Sequence, residues 1–113
     1  MFCLSESPLD CTFEDGMCNF GHNKNGHFDW DIYSGATTTV GTGPMYDHTL
    51  RLTTGHYLLA EASGRYWQDV AKVTSGQVSM SSPHCLRFYY HMHGLEVESL
   101  KVYSVCSMIR FLF

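Results

Sequence analysis

CLRFYYHM, residues 85–92, sets Leu86, Phe88, Tyr90 and Met92 at every second position, with Arg87, Tyr89 and His91 between them. Side chains of a strand point alternately to opposite faces, whereas a helix returns to the same face only every 3.6 residues. The stretch therefore predicts a strand with one apolar face and one mixed face. Working outward, FDWDI (28–32) alternates in the same way, with Phe28, Trp30 and Ile32 opposite Asp29 and Asp31. HYLLAE (56–61) is apolar on both faces, the pattern of a strand inside a sandwich. LRL (50–52), DVAKV (69–73) and QVSM (77–80) are shorter or weaker candidates, and SLKVYSV (99–105) follows the turn-like HGLEVE. The joints GHNKNGH, SGATTTVGTGP, TTG, ASG, TSG and SSP carry the residues that turns favour. No segment sustains a helical period and no repeat is present, so the expected fold is an all-β antiparallel sandwich.

Composition narrows the class of function. The chain has 113 residues, 44% hydrophobic and 16% charged, the balance of one globular domain. Its net charge of −4 and lack of a basic cluster argue against nucleic-acid binding. No apolar run approaches the roughly 20 residues of a membrane span, so direct membrane insertion is not expected. The opening MFCLSESPLD is too short and polar to read as a signal peptide. Five cysteines is a high, odd number. Cys11 and Cys18 can close a small loop through a disulfide or remain as buried thiols; their spacing fits neither a zinc knuckle nor a redox motif. A disulfide implies an oxidising compartment, which the missing leader does not explain unless the sequence is a fragment of a larger exported protein.

Taken in order, several pieces make the sequence resemble a MAM domain, the extracellular module named for meprin, A5 (neuropilin) and receptor phosphatase mu. LDCTFEDGMC (9–18) looks like the family's first strand with its early disulfide loop, and FDW (28–30) like the strand after it. GPMYDHT (43–49) resembles the glycine-proline-x-x-aspartate-histidine-threonine signature, and YLLAEASG (57–64) the strand and turn that follow. CLRFYYHMHG (85–94) and LKVY (100–103) resemble two later strands. There are departures: Asn19 and Phe20 replace the usual Gly-Trp, Gly26 and His27 stand where an acidic pair is usual, and TSG (74–76) stands where Ser-Pro is usual. The resemblance ends near Val105. It implies a jelly-roll-like β-sandwich, incomplete here, with an N-terminal extension (1–8), a partial domain (9–105) and a divergent tail (106–113). An incomplete sandwich leaves an edge unpaired and core residues uncovered, so weak stability is expected. Cys85 is expected to pair with Cys106 or to stay a thiol.

Candidate chemistry is sparse. His91 and His93 share a strand face, but H-x-H supplies only two of the four ligands zinc usually takes. Cys85 lies about 20 Å from His91 along a strand, so it cannot join them. Tyr89 and His91 are expected to pack or hydrogen-bond under a loop. Asp47-His48-Thr49 lacks a nucleophile elbow, and adjacent side chains on a strand diverge, so no hydrolytic triad is read there. Glu14, Asp15 and Asp47 are the best candidates for a hard cation, calcium, supported by the acidic sites of some MAM domains; the alternative is solvated turn carboxylates, with no cofactor at all. Binding candidates are Asn23 and Lys24 in the loop 21–27, and Tyr66 and Trp67 in the loop 63–69. Trp67 reads equally as a core residue.

The resemblance implies a non-catalytic adhesion or recognition module of a larger secreted or membrane-anchored protein, outside the cell. Its partners would be other cell-surface or extracellular proteins, a second copy among them. The alternatives are a carbohydrate-binding β-sandwich and a non-catalytic accessory domain of a secreted protease.

Overall fold

A computed structural model describes residues 7–79, 84–105 and 108–113. The strands are β1 (Phe20–His22), β2 (Asp31–Ser34), β3 (His56–Leu59), β4 (Lys72–Ser75), β5 (Lys101–Val105) and β6 (Met108–Leu112). Every ladder is antiparallel: one sheet runs β1-β4-β6-β5, the other pairs β2 with β3. No helix occurs among the described residues, and the protein is all-β as its alternation predicts.

Period two decides which residues face inward. In the β4 segment Ala71, Val73 and Ser75 are buried while Lys72 and Thr74 are less so. In register, Phe111 of β6 stands opposite Val73, and Phe20 of β1 stands opposite Ser75. The Phe20 and Phe111 rings meet edge-on at 6.0 Å, and Phe88 meets Phe111 edge-on at 5.3 Å. Phe113 extends the β6 edge by exchanging both backbone hydrogen bonds with Ala71, and its ring packs edge-on against Trp30 at 5.7 Å. Phe28 forms a parallel bridge to Ala71, so FDW is the seam that joins the second sheet to the first. Asp29 and Asp31 are exposed while Phe28 is buried and Trp30 and Ile32 half-buried, matching the sequence pattern.

Three expected strands do not appear among the described residues. LRL does not extend: the N–H groups of Leu50 and Leu52 donate to the Asp47 carboxylate at 2.6 and 3.2 Å, and Arg51 takes the left-handed φ of 57°. Amides wrapped around a carboxylate cannot serve a ladder. CLRFYYHM keeps its alternation but joins no ladder among the described residues. Phe88 and Tyr90 turn toward each other at 6.2 Å, while Tyr89 stacks on His48 at 3.3 Å and His91 Nε2 lies 2.9 Å from the Thr42 carbonyl oxygen. Thus Tyr89 and His91 do meet a loop, but exposed rather than beneath it. Alternation defines faces; it does not supply a hydrogen-bonded neighbour. In QVSM, Val78 is buried without a ladder and Met80 lies outside the described residues. DVAKV shifts to Lys72–Ser75 because Asp69 closes a turn, accepting from the Tyr66 N–H at 2.9 Å. Two strands went unread: β1, too short for a pattern, and β6, within the tail CSMIRFLF. Cys106 lies outside the described residues, so the Cys85–Cys106 expectation does too.

The fully buried apolar set among the described residues is small: Phe28, Ala71, Val73 and Val78. Leu86, Tyr90, Val102 and Tyr103 remain exposed. Burial drives folding, so so few buried side chains give little stability against chain entropy. The isolated chain should unfold at or below about 45 °C, the low end of mesophile domains, and bind a hydrophobic dye beforehand. A cooperative calorimetric transition well above that temperature would contradict this. Phe111→Ala should remove about 2 kcal/mol, below the cost at a fully buried site because the ring is only half-buried. Urea unfolding followed by circular dichroism measures it.

Candidate functional site

The disulfide loop and the signature segment converge on β3. Cys11 and Cys18 are bridged, with Cα atoms 5.9 Å apart. Within that loop Phe13 (φ 64°) and Cys18 (φ 53°) hold left-handed backbones that non-glycine residues rarely adopt. Cross-linking so short a loop contributes about 2.5 kcal/mol in the chain-entropy account, which helps hold such conformations. The loop presents Glu14 to a residue 42 positions later: one oxygen accepts the His56 backbone N–H at 2.6 Å, the other meets His56 Nδ1 at 2.9 Å. A carboxylate only accepts, so Nδ1 carries the proton.

Asp47 lies beside this clasp. Its side chain is 2% exposed and occupies the space that a Cβ on Gly55 would fill, so Gly55 admits no side chain without displacing Asp47. Burial pushes the Asp47 carboxyl up, but the backbone amides of Leu50, Leu52 and Thr49 together outweigh it and leave the group below its ordinary value. The Glu14 carboxyl is lowered chiefly by the His56 backbone N–H, then by the His56 ring; Asp47, close by, opposes this.

These contacts give Glu14 and Asp47 a structural role. Both oxygens of Glu14 and both of Asp47 already accept N–H hydrogen bonds, and Asp15 is exposed. Calcium needs six to eight oxygen ligands, and no group of three or more ligating side chains occurs among the described residues. Glu14, Asp15 and Asp47 form no such group among the described residues. Glu14 and Asp47 instead fix the turn before β3.

The binding candidates separate. Asn23 maintains a turn: its side chain donates to Thr74 Oγ1 at 3.3 Å and accepts the Asn25 N–H at 3.0 Å, while Lys24 is exposed. Tyr66 and Trp67 are the exposed corner of a turn closed by the Asp69 N–H donating to the Tyr66 carbonyl at 3.0 Å. Trp67 is no core residue; it is 78% exposed, and Tyr66 is 85% exposed. Both line an open cleft of about 490 Å³ with Arg65, Glu96, Glu98 and Lys101. Asn23 and Lys24 do not line it. The sequence carried a signal for the far wall, the acidic residues of HGLEVE, but nothing local placed them opposite Trp67.

Comparisons agree with this architecture. Residues 11–108 match the family described as MAM domain, meprin/A5/mu. Human MAM domain-containing protein 2 is 38% identical over 101 residues, covering 88% of this chain and 14% of that protein. Neuropilin-1 of Xenopus laevis is 35% identical over 104 residues, covering 88% of this chain and 10% of its own length. Chicken MAM domain-containing glycosylphosphatidylinositol anchor protein 1 is 36% identical over 105 residues, covering 85% and 11%. The chain thus spans a small part of each relative. No solved structure matches. The chain belongs to the MAM domain family, and its relatives are named as MAM and neuropilin proteins rather than as enzymes.

The lowered carboxyls give a signed pH dependence. A depressed folded pKa contributes stability above the unfolded value and loses it as pH falls through the folded one. For Glu14 and Asp47 that loss begins below about pH 4, the ordinary carboxylate range. Glu14→Gln should lower the thermal midpoint at pH 7 and flatten the acid limb of the midpoint-against-pH curve. An acid limb unchanged in the variant would show that the clasp carries none of it.

Proposed function

We propose that this chain is a non-catalytic recognition module of a larger secreted or surface-anchored protein, acting by protein–protein contact outside the cell. The observation that carries the reading is a set of exposed apolar side chains on two pieces of chain linked through β6, since Phe88 packs on Phe111 and β6 pairs with β5. Leu86, Phe88, Tyr89 and Tyr90 lie on one, and Val102, Tyr103 and Val105 on β5. Exposed apolar surface of this kind marks interaction sites in folded proteins. β5 is also a sheet edge, with backbone groups available for a further strand. Tyrosine suits the task because it carries large contact area with few rotors.

Three features support placement outside the cell and a passive chemistry. The Cys11–Cys18 bridge belongs to an oxidising compartment. One relative is named for its glycosylphosphatidylinositol anchor. The signature histidine, His48, stacks on Tyr89 rather than facing a nucleophile. Calcium plays no part in this reading, so contact should survive chelation.

The test couples the full chain to fluorescent beads and measures their clustering and their capture on cell surfaces. Replacing Tyr90 and Tyr103 by serine should reduce capture several-fold, while chelation leaves it unchanged. Clustering of the beads alone identifies a second copy as the partner; capture only on cells identifies a different protein. The absence of both clustering and capture would overturn the reading.

A further inference from the structure

The turn Tyr66–Asp69 and the segment Leu95–Lys101 face each other across the open cleft. We propose that this cleft binds a neutral sugar unit of a glycan, with Trp67 as its stacking platform. The proposal deepens the recognition reading, on which it rests, by naming a class of ligand for the cleft, whose lining does not include the exposed apolar side chains of the 85–92 segment and β5.

Three observations carry it. First, Trp67 is exposed but held. Its Nε1–H donates to Glu98 Oε1 at 2.9 Å, which fixes the edge of the indole and leaves the rest in solvent. A flat apolar face fixed in water meets the C–H face of a pyranose without first losing side-chain freedom. Second, the turn is strained in order to present that ring. Gln68 takes a φ of 74°, and the turn is closed twice, by the Asp69 N–H to the Tyr66 carbonyl and by the Tyr66 N–H to the Asp69 carboxylate. Left-handed backbones at non-glycine residues concentrate at binding sites.

Third, the cleft's charges are mixed and do not neutralise one another. Arg65 and Lys101 line it with Asp69, Glu96 and Glu98, yet no ion pair joins them among the described residues, and the Asp69 carboxylate is held by the Tyr66 N–H. The Arg65 guanidinium instead lies 4.7 Å from the Phe28 ring centre. Guanidinium and ammonium groups only donate, and carboxylates only accept. A hydroxyl does both, so a polyol satisfies the whole lining. An anionic ligand would meet Glu96 and Glu98, and a cationic one would meet Arg65 and Lys101. The cleft's volume of about 490 Å³ falls within the roughly 300–1,000 Å³ of small-ligand sites, room for one or two sugar rings.

The experiment follows the indole N–H resonances of the isotope-labelled full chain during titration. The probes are methyl α-mannoside, methyl β-galactoside, N-acetylglucosamine and lactose, with N-acetylneuraminic acid as the anionic control. At least one neutral sugar should shift the Trp67 indole signal saturably and leave that of Trp30 in place. Trp67→Ala should weaken that binding at least about tenfold, Trp67→Phe should retain part of it, and Lys101→Gln should weaken it with the ring intact. Amide spectra of each variant establish that the fold is kept. No saturable shift with any neutral sugar, or tighter binding of the anionic control, overturns the inference. The bead assay separates the two readings. Capture that persists after enzymatic removal of cell-surface glycans, with no sugar shift, leaves the recognition module standing and removes the sugar site. A sugar shift without bead capture does the reverse.

Discussion

Phe111 receives edge contacts from Phe20 and from Phe88, while its strand lies hydrogen-bonded between β4 and β5. Three distant pieces of chain therefore share one ring. Two residues on, Phe113 closes a reciprocal pair of backbone bonds with Ala71 and meets Trp30, joining the FDW seam to the same strand. Without β6, β5 would have no neighbour in the sheet, and Val73 would keep only its partner His22 on β1. The protein's small buried core makes this dependence acute, because few other contacts link the two sheets.

A second constraint is polar. The cystine loop carries Glu14 to His56, and the signature segment carries Asp47 to the space beside Gly55. Carboxylates that look like cation ligands in the sequence prove to be acceptors for backbone N–H groups that no ladder uses. The physical logic is the same as in a helix cap: an orphan amide is satisfied by the nearest short acidic side chain. Each of these four carboxylate oxygens is committed to an N–H donor of the fold.

The division of labour between surfaces follows. The 85–92 segment and β5 expose apolar side chains, suited to another protein's surface. The corner at Trp67 is different in kind, with charges of both signs that form no ion pair among the described residues, around a held indole. One surface excludes water by area; the other selects by hydrogen-bonding type.

By itself the sequence determined the period-two pattern, the family and the turns, and placed two cysteines close enough to bridge. These are local: a strand's alternation, a short sulfur-to-sulfur loop and a glycine-proline corner are written in neighbouring residues. FDW behaved as its alternation required, with Phe28 buried and Asp29 and Asp31 in solvent. Only the tertiary structure decided which patterned segments found partners. CLRFYYHM has a strand's alternation and no ladder, while the tail's MIRFL lies within the sheet. Likewise Trp67 became a surface ring and Glu14 a clasp because of residues 31 and 42 positions away. Pairing, unlike propensity, is a property of two segments at once, and loop closure over such distances leaves no mark on either segment's own residues.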